Sequence, residues 1–417
     1  MQETPIHSPE IDESFVRRLA LLTGDFPQAC LLLSNGAPGA ETELLAGFGA
    51  RQLLSFEQPG HCFEALQNFQ PGKLLLGHFS YDLKNETEAL ASSHPDGVGF
   101  PVMTFFEPEH LVRKNKDQAL QLSHDLPQPS TPFQKTAAVA SLRQRTPKAE
   151  YLQIVKRLLQ HIHRGDIYEI NYCIEFFAEN VSLDPRELFL RLNRIAGAPF
   201  SALYRNGDRW LICASPERFL LKKGKRILSQ PIKGTRPRGK SPEEDAALAI
   251  ALRNDPKEQS ENVMIVDLVR NDLSRIAARG SVHVDELFGI YSFPTVHQMI
   301  STVSAELKEG VSPVEAIRAS FPMGSMTGAP KVRAMQLAEE YEQMRRGLYS
   351  GAVGYFTPEG DFDFNVVIRS IQYNAATGYL SFMVGSAITA NADPEKEYEE
   401  CLLKAGALLK ALGTEWI

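Results

Sequence analysis

The order of helix-start and strand signals constrains the fold of this chain more than any other feature of its sequence. A capping residue followed by proline marks a helix N-terminus at four places, namely 146–147, 241–242, 255–256 and 393–394. Apolar runs predict strands at 29–33, 73–77, 209–213, 350–356, 365–373 and 379–384. Because helices and strands do not alternate regularly, the sequence predicts an α+β fold with large antiparallel sheets.

A proline-punctuated stretch indicates where the chain divides. Residues 126–132 read Leu-Pro-Gln-Pro-Ser-Thr-Pro, a composition typical of a connector. We therefore expect an N-terminal region of strands with a regulatory or outer layer over 1–125, a connector over 126–145 and a catalytic domain over 146–417. This boundary need not separate independently folding domains.

Charge and cysteine content exclude several classes of protein. The 44 basic and 51 acidic residues give a net charge of −7, which argues against a surface built for nucleic acid or an anionic membrane. Five cysteines without a CxxC pair indicate a reducing compartment and no structural zinc. The first residues are acidic and lack an apolar core, and no apolar run is long enough to span a membrane. We expect a cytoplasmic protein with neither nucleic acid nor membrane as a partner.

Two helix starts each carry a pair of glutamates one turn apart. Glu258 and Glu261 have i, i+3 spacing, as do Glu397 and Glu400, so each helix can direct two carboxylates to one spot. Together they would form an oxygen-rich site suited to Mg²⁺. The alternative is that acids in a first turn complement the helix dipole.

Further candidates are weak when taken singly. The glycine-rich loop 324–331 is either an anion cradle or a tight turn into a helix, and it lacks P-loop spacing. Lys233, between an apolar run and a Gly-Thr turn, could act as a nucleophile, and Glu217 could act as a general acid if it is desolvated. His297 lies in an apolar context, where a core histidine is the more frequent outcome.

Taken together, these motifs resemble those of the chorismate-utilising enzymes, which include the large subunits of anthranilate and aminodeoxychorismate synthases and the isochorismate and salicylate synthases. The motifs stand in the family's order over about 146–412, at 165–171 (Gly-Asp-Ile-Tyr-Glu-Ile-Asn), 215–219 (Ser-Pro-Glu-Arg-Phe), 231–235 (Pro-Ile-Lys-Gly-Thr), 261–273, 324–331, 368–370 (Ile-Arg-Ser) and 397–404. The N-terminal third resembles the family only loosely. The resemblance implies two packed, largely antiparallel sheets flanked by helices, with the active site between the sheets.

The resemblance also implies chorismate as substrate and Mg²⁺ as cofactor. It implies Glu261 and Glu400 as metal ligands, with Glu258 and Glu397 completing the acidic cluster. The residues that would contact the substrate are Thr235, Gly234, Thr327, Gly328, Tyr349, Arg369, Gly385, Lys404 and Glu169.

Lys233 sorts the reactions within the family, because anthranilate synthases usually carry alanine at its place. The resemblance implies that Lys233 attacks C2 of chorismate while Glu217 protonates the departing C4 hydroxyl, after which ammonia attacks C4 and expels the lysine. Both groups must start uncharged, so we expect burial to raise the pKa of Glu217 and to lower that of Lys233. His297 is expected to position the substrate or to act electrostatically.

Glu169 departs from the family pattern, because relatives that add water carry lysine at this place and relatives that add an amine usually carry glutamine. We expect Glu169 to exclude water or to steer ammonia. No glutaminase motif is visible, so ammonia is expected from a separate glutamine amidotransferase subunit, and a later lyase step to 4-aminobenzoate, on the route to folate, is expected from another protein. The alternatives are an anthranilate synthase component I and a non-catalytic regulatory subunit. Relatives can also hold a tryptophan in a cleft to which 31–34 and 196–201 could contribute.

Overall fold

The computed structural model describes residues 11–37, 39–123, 125–134, 139, 142–294 and 296–414. Within these residues the helices are α1 (Glu13–Leu22), α2 (Cys62–Phe69), α3 (Lys84–Thr87), α4 (Lys148–His163), α5 (Pro185–Ala196), α6 (Pro242–Arg253), α7 (Pro256–Ser274), α8 (Pro313–Ser320), α9 (Lys331–Tyr341) and α10 (Pro394–Leu412). The strands are β1 (Gln28–Leu33), β2 (Thr42–Phe48), β3 (Gln52–Phe56), β4 (Leu75–Phe79), β5 (Met103–Glu107), β6 (His110–Asn115), β7 (Gln121–Leu122), β8 (Arg143–Gln144), β9 (Glu169–Ala178), β10 (Phe200–Asn206), β11 (Arg209–Ser215), β12 (Arg218–Lys223), β13 (Arg226–Gln230), β14 (Ile232–Pro237), β15 (His283–Ser292), β16 (Val296–Glu306), β17 (Gly328–Ala329), β18 (Ala352–Phe356), β19 (Phe362–Asn365), β20 (Ser370–Asn374) and β21 (Tyr379–Ile388).

These strands form two antiparallel sheets. Sheet one has the order β17-β9-β21-β20-β11-β10-β1-β2-β6-β7, with β8 also paired to β9. Sheet two has the order β14-β16-β13-β12-β19-β18-β4-β5-β3, with β15 also paired to β16. Every strand pair between the described residues is antiparallel. The predicted α+β class with large antiparallel sheets is confirmed.

The apolar run that forms β1 shows how the two sheets pack. Side chains alternate along a strand, and Ala29, Leu31 and Leu33 enter a core shared with α1, α4, α5, α9 and α10. Cys30 faces the opposite way, into a core built from residues of both sheets. Because β1 is buried on both faces, its sequence is continuously apolar rather than alternating. Helices α2, α7 and α8 pack on sheet two through a third core.

Strands from the N-terminal third lie inside both sheets. Strand β1 pairs with β10 and β2, and β4 pairs with β18 and β5. The division at 126–145 stays a prediction. Residues 1–10, whose composition argues against a signal peptide, lie outside the described residues. None of the described helices combines the length and the apolar character that a membrane span requires.

Two predicted elements end differently from expectation. The helix expected to run to about Gly280 ends at Ser274, because Ala277 leaves the helical path and forms a β-bridge with Leu307. The strand expected over 365–373 divides into β19 and β20, since Arg369 adopts a left-handed backbone conformation with φ of 50°. This break places Arg369 in a turn at the end of a sheet rather than within a strand.

Candidate active site

An ion pair crosses from one sheet to the other where their edges meet. Lys233 on β14 donates from Nζ to Glu169 Oε1 on β9 at 2.8 Å, and the two side chains are only 11% and 2% exposed. We call these two residues the cross-sheet pair. The sequence gives no direct sign of this contact, because β9 and β14 belong to different sheets.

A β-bulge on β14 sets the direction of the lysine. Ile232 lies opposite Ile300 but Thr235 lies opposite Gln298, so β14 has one residue more than its partner strand. Bulges re-aim side chains and are frequent beside active sites. Gly234, inside the bulge, has φ of +95°, and an added Cβ would come within 3.1 Å of Glu258 Oε2. This position therefore requires glycine and brings β14 against the first turn of α7.

The expected pKa shift of Lys233 is wrong in direction. Burial alone would lower the pKa, but the negative charge of Glu169, followed by that of Glu261, outweighs burial and raises it. The resting lysine is therefore a cation. A nucleophilic role for Lys233 requires a group that removes its proton.

Glu217 lies between β11 and β12 and is 4% exposed. Its backbone N–H donates to Ser215 Oγ at 3.2 Å, and its carbonyl accepts from Val366 N at 3.0 Å. Burial raises the pKa of Glu217 to about 7, against the opposing influence of the Ser325 hydroxyl and the Lys233 charge. The expected direction is confirmed, and the carboxyl holds a proton near neutral pH.

The two predicted glutamate pairs meet through one lysine. Lys257 Nζ lies 3.6 Å from Glu261 Oε1 on α7 and 3.2 Å from Glu397 Oε1 on α10. Asp255 and Asp393 cap these helices by accepting backbone N–H groups of their first turns, which fixes where each helix begins. Both facing helix starts therefore contribute carboxylates to one cluster.

The donor chemistry of this cluster fits Mg²⁺. Glu261 Oε1 and Glu397 Oε2 are buried and accept no hydrogen bond from a described residue. The described histidine, cysteine, aspartate and glutamate side chains do not form a preassembled group of three metal ligands. Mg²⁺ usually takes only one or two protein carboxylates and completes its shell with water and substrate oxygens, so two unsatisfied carboxylate oxygens suit it better than a closed cage would.

Cations for an anionic ligand lie at the same end of the sheets. Within the described part of the chain no carboxylate oxygen lies within 4.0 Å of Arg369, and burial lowers the pKa of its guanidinium. A partly buried guanidinium with no carboxylate partner among the described residues suits a ligand carboxylate. Lys404 donates to Glu400 Oε1 at 2.6 Å and to the Gly385 carbonyl at 2.9 Å.

Two of the predicted ligand contacts occupy tight positions. A Cβ added at Gly385 would lie 2.7 Å from Cys173 Sγ, so no side chain fits there. Tyr349 is 3% exposed and precedes Ser350, whose φ is 64°. Non-glycine residues in the left-handed region are frequent at functional sites, and here Ser350 and Arg369 both adopt it.

The 324–331 loop is held by its own contacts. The Thr327 hydroxyl donates to the Met323 and Gly324 carbonyls at 3.3 and 3.2 Å. Gly328 pairs with Ile170 so closely that a Cβ would collide with the Glu169 carbonyl. Lys331 donates to Asp272 Oδ2 at 2.6 Å. Lys331 thus neutralises a protein carboxylate instead of facing an open anion site. Of the two interpretations of this loop, this contact favours the tight turn into α9.

His297 lies on β16, beside the strand that carries Lys233. Its Nδ1 contacts Ser292 Oγ at 2.8 Å and its Nε2 contacts Asp245 Oδ1 at 2.9 Å. No hydrogen bond between described residues joins its ring to Lys233 or Glu217. Its positioning role stays a prediction.

Sequence reasoning missed a second buried ion pair that supports the site. Arg346 donates to Glu342 from Nε at 2.9 Å and from Nη2 at 2.6 Å, and it also donates to the carbonyls of Met326 and Asn171 at 2.6 and 2.9 Å. We call Arg346 and Glu342 the anchor pair. It ties the 324–331 loop to β9, the strand of Glu169. The i, i+4 spacing was visible in the sequence, but such spacing is common on protein surfaces.

A separate cavity of about 150 Å³ lies away from the cross-sheet pair. Leu32 and Ser34 line it from the N-terminal part of the chain, and Phe200 and Ser201 line it from β10. The two ranges expected to contribute to a cleft, 31–34 and 196–201, thus face one space.

Comparisons with known proteins agree with this geometry. Residues 33–410 match the family model described as chorismate binding enzyme. An aminodeoxychorismate synthase of Streptomyces griseus is 47% identical over 266 residues, which is 63% of this chain and 36% of that protein, so the chain spans about a third of that relative. Aminodeoxychorismate synthase component 1 of Escherichia coli and anthranilate synthase component 1 of Thermus thermophilus are each 36% identical, over 355 and 358 residues, which is 82% and 81% of this chain and 77% of each relative.

The fold has close counterparts among solved structures. Anthranilate synthase component I from Streptococcus pneumoniae matches with a TM-score of 0.79 at 24% identity, over 90% of this chain and 93% of that chain. The two packed antiparallel sheets implied by the resemblance are confirmed. The family match also reaches well into the N-terminal third, where the motifs alone indicated only a loose resemblance. By its sequence, its fold and the residues between its sheets, the chain belongs to the chorismate-binding enzyme family.

Proposed function

We propose that this chain aminates chorismate at C4, with Mg²⁺ as cofactor, and releases 4-amino-4-deoxychorismate. The observation that carries the proposal is the buried Lys233, which the β14 bulge directs across to β9. An anthranilate-forming relative usually has alanine at this place and therefore no nucleophile there. The names of the Streptomyces griseus and Escherichia coli relatives support the same assignment.

The side chains divide the reaction into two substitutions. Lys233 Nζ forms a bond to C2 of the ring while Glu217 protonates the C4 hydroxyl, which leaves as water. Ammonia then attacks C4, and the C2–N bond to the lysine breaks. Covalent catalysis of this kind replaces one difficult displacement with two easier ones. The pKa of Glu217, about 7, suits a group that must hold a proton and then release it.

Substrate binding uses the cations and the tight backbone positions. Arg369 and Lys404 would bind the two carboxylates, with Tyr349 and the backbone at Gly385 closing the pocket. Glu261 and Glu400, supported by Glu258 and Glu397, would hold Mg²⁺. A bound Mg²⁺ ion would neutralise the negative charge of the ring carboxylate. The remaining contacts are assigned to Gly234, Thr235, Thr327 and Gly328.

Ammonia would come from a separate glutamine amidotransferase subunit, in a cytoplasmic enzyme complex. The term "component 1" in the name of the Escherichia coli relative implies a second component there. A lyase that forms 4-aminobenzoate would then act on the product.

Anthranilate formation is the second candidate. It is favoured by the Thermus thermophilus relative, which is as similar to this chain as the Escherichia coli one. Lys233 is the residue that separates the two reactions.

Product identification tests the proposal. The purified chain is incubated with chorismate, Mg²⁺ and ammonium salt at mildly alkaline pH, and the products are analysed by mass spectrometry. We expect a non-aromatic amino product that a lyase converts to 4-aminobenzoate. Anthranilate would contradict the proposed product. Isochorismate or salicylate would contradict the addition of an amine altogether. If the chain alone forms no product, the same test is run with a glutaminase subunit added.

Matched lysine variants locate the activity. Lys233→Ala should reduce turnover, and direct attack of ammonia at C4 should leave a residual rate. Lys222→Ala is the control, because Lys222 is also buried in sheet two and pairs with Asp361 at 2.9 Å, but it lies on β12 away from the cross-sheet pair. Undiminished activity of Lys233→Ala would exclude the covalent route as the main path.

A further inference from the structure

We infer that Glu169 is the proton acceptor for Lys233, taking a proton from Nζ before the lysine attacks and returning it when the lysine is expelled. This inference rests on the proposed function and deepens it. It assigns Glu169 a role in the covalent step, in place of the exclusion of water or the steering of ammonia expected from the sequence.

The geometry gives the proton one place to go. Glu169 Oε1 lies 2.8 Å from Lys233 Nζ, and no other carboxylate oxygen of the described residues lies within 4.0 Å of that nitrogen. Glu217, the other carboxyl of the reaction, holds its own proton for the leaving hydroxyl. A proton on Lys233 therefore leaves by way of Glu169 or enters solvent from a side chain that is 11% exposed.

The carboxylate of Glu169 has Lys233 as its one hydrogen-bond donor among the described residues. Its second oxygen, Oε2, is buried and accepts no hydrogen bond from a described residue. Hydrogen bonds from several donors hold a carboxylate ionised, and Glu169 has one such donor. Transfer of the proton along the 2.8 Å contact turns two buried charges into two neutral groups. That change removes the desolvation cost of both charges and gives up their mutual attraction.

Other charges near Lys233 act at longer range. Those that influence its pKa, or whose pKa it influences, are Glu169 on β9, Glu217 before β12, Glu258 and Glu261 on α7, and Glu400 on α10. Among them, Glu169 and then Glu261 raise the pKa of Lys233 against its burial. A protonated lysine must lose a proton before it can attack, and the acceptor in hydrogen-bond contact with Nζ is Glu169.

The proton balance closes over one cycle. Glu169 takes one proton from Lys233, and the neutral Nζ donates its electron pair to C2. As the C4–O bond breaks, Glu217 supplies the proton that completes the departing water. When ammonia bonds to C4, the electrons of the C2–N bond return to Nζ, and Glu169 gives its proton back. The new C4 ammonium group loses one proton to Glu217, so both glutamates regain their starting states.

The test measures the covalent adduct directly. Enzyme, Mg²⁺ and chorismate are mixed without ammonia, the reaction is quenched over time, and intact-protein mass spectrometry detects the mass of chorismate less water on Lys233. In the unaltered chain the proton moves within the pair, so the adduct rate should follow only the protonation of Glu217, level at mildly acidic pH and falling as the pH rises through about 7. In Glu169→Gln the adduct rate should be about 100-fold lower at neutral pH, and its ratio to the rate of the unaltered chain should rise in proportion to hydroxide, because the proton must reach solvent.

Two further variants guard against a merely structural effect. Glu169→Asp keeps a carboxylate and should keep the pH profile of the unaltered chain at a reduced rate. Glu175→Gln is the matched control, since Glu175 is a buried, ion-paired glutamate on the same strand that contacts Arg145 instead of the site. It should leave the adduct rate unchanged.

The outcomes separate the two proposals. If the unaltered chain forms neither adduct nor aminated product, the proposed function fails. If it forms both, but Glu169→Gln reacts at the same rate or is slower with an unchanged pH profile, the function stands and the proton-acceptor role is overturned. A further loss when Glu169→Gln is added to Lys233→Ala would also overturn it, because Glu169 would then act on something other than the lysine.

Discussion

The cross-sheet pair and the anchor pair are both buried, but they differ in how completely their hydrogen bonds are made. In the anchor pair, Arg346 binds both oxygens of Glu342 and two backbone carbonyls, and Cys173 N donates to Glu342 as well. In the cross-sheet pair, one hydrogen bond joins Lys233 to Glu169 and one carboxylate oxygen is left without a partner. A buried pair with every hydrogen bond made is held rigidly, whereas a buried pair with a single bond is only partly satisfied.

Removing the positive charge from each pair should give the largest difference in stability between them. Arg346→Met leaves Glu342 buried without its partner, so we expect the free energy of unfolding to fall by about 3–5 kcal/mol. Lys233→Met should cost less than half as much, because Glu169 has only one hydrogen bond to lose. Urea denaturation of both variants measures the difference. Equal losses would show that the cross-sheet pair is structural too.

The reacting carboxyl should separate activity from stability. Glu217→Gln removes the proton donor, so kcat should fall about 100- to 10,000-fold. The unfolding free energy should not fall, because burial already disfavours the charge of Glu217. Glu342→Gln is the counterpart in the anchor pair and should lower stability first. Steady-state kinetics and denaturation curves of both variants measure these effects. Equal losses of stability in Glu217→Gln and Glu342→Gln would contradict the prediction.

The pH dependence of stability should sharpen the same contrast. The folded-state pKa of Glu217 is about 7 against an ordinary 4.5, so the folded chain binds its proton more tightly. Its contribution is fully present below about pH 4.5 and is lost as the pH rises through 7, for a total of about 3 kcal/mol. Glu261 titrates in the same window. The difference in slope between the unaltered chain and Glu217→Gln isolates the Glu217 part, and identical slopes would contradict it.

Lys257 should give the smallest effect. It lies between Glu261 and Glu397 but is 50% exposed, so its attraction to them is worth at most about 1 kcal/mol. We expect Lys257→Met to bind Mg²⁺ about two- to fivefold more tightly, because a competing cation is gone. Calorimetric titration with Mg²⁺ measures this, with Lys222→Met as the control. Weaker binding would mean that Lys257 holds the carboxylates in place for the ion.

The sequence predicted the parts of this molecule whose physics is local. A capping residue followed by proline predicted the starts of α6, α7 and α10, and apolar runs predicted β1 and β4. Both signals are local, because caps and burial act on neighbouring residues. The family motifs supplied the candidate residues of the site. Neither could supply the 2.8 Å contact between Glu169 and Lys233, which depends on how two sheets meet. The pKa of Lys233 was therefore expected to fall because the side chain is buried. It rises instead, because the negative charge of Glu169 outweighs the burial.

The pairing of early strands with late ones has a consequence for the synthesis of the chain. Phe79 on β4 lies opposite Ala352 on β18, about 270 residues later. At about 5–20 residues per second, a ribosome takes roughly 14–54 s to make the partner that β4 needs. Through that interval the edge of β4 that pairs with β18 has no partner strand, and sheet two is incomplete. Lys233 is translated well before the sheets close around it, so a nascent chain carries this lysine long before it carries the candidate site.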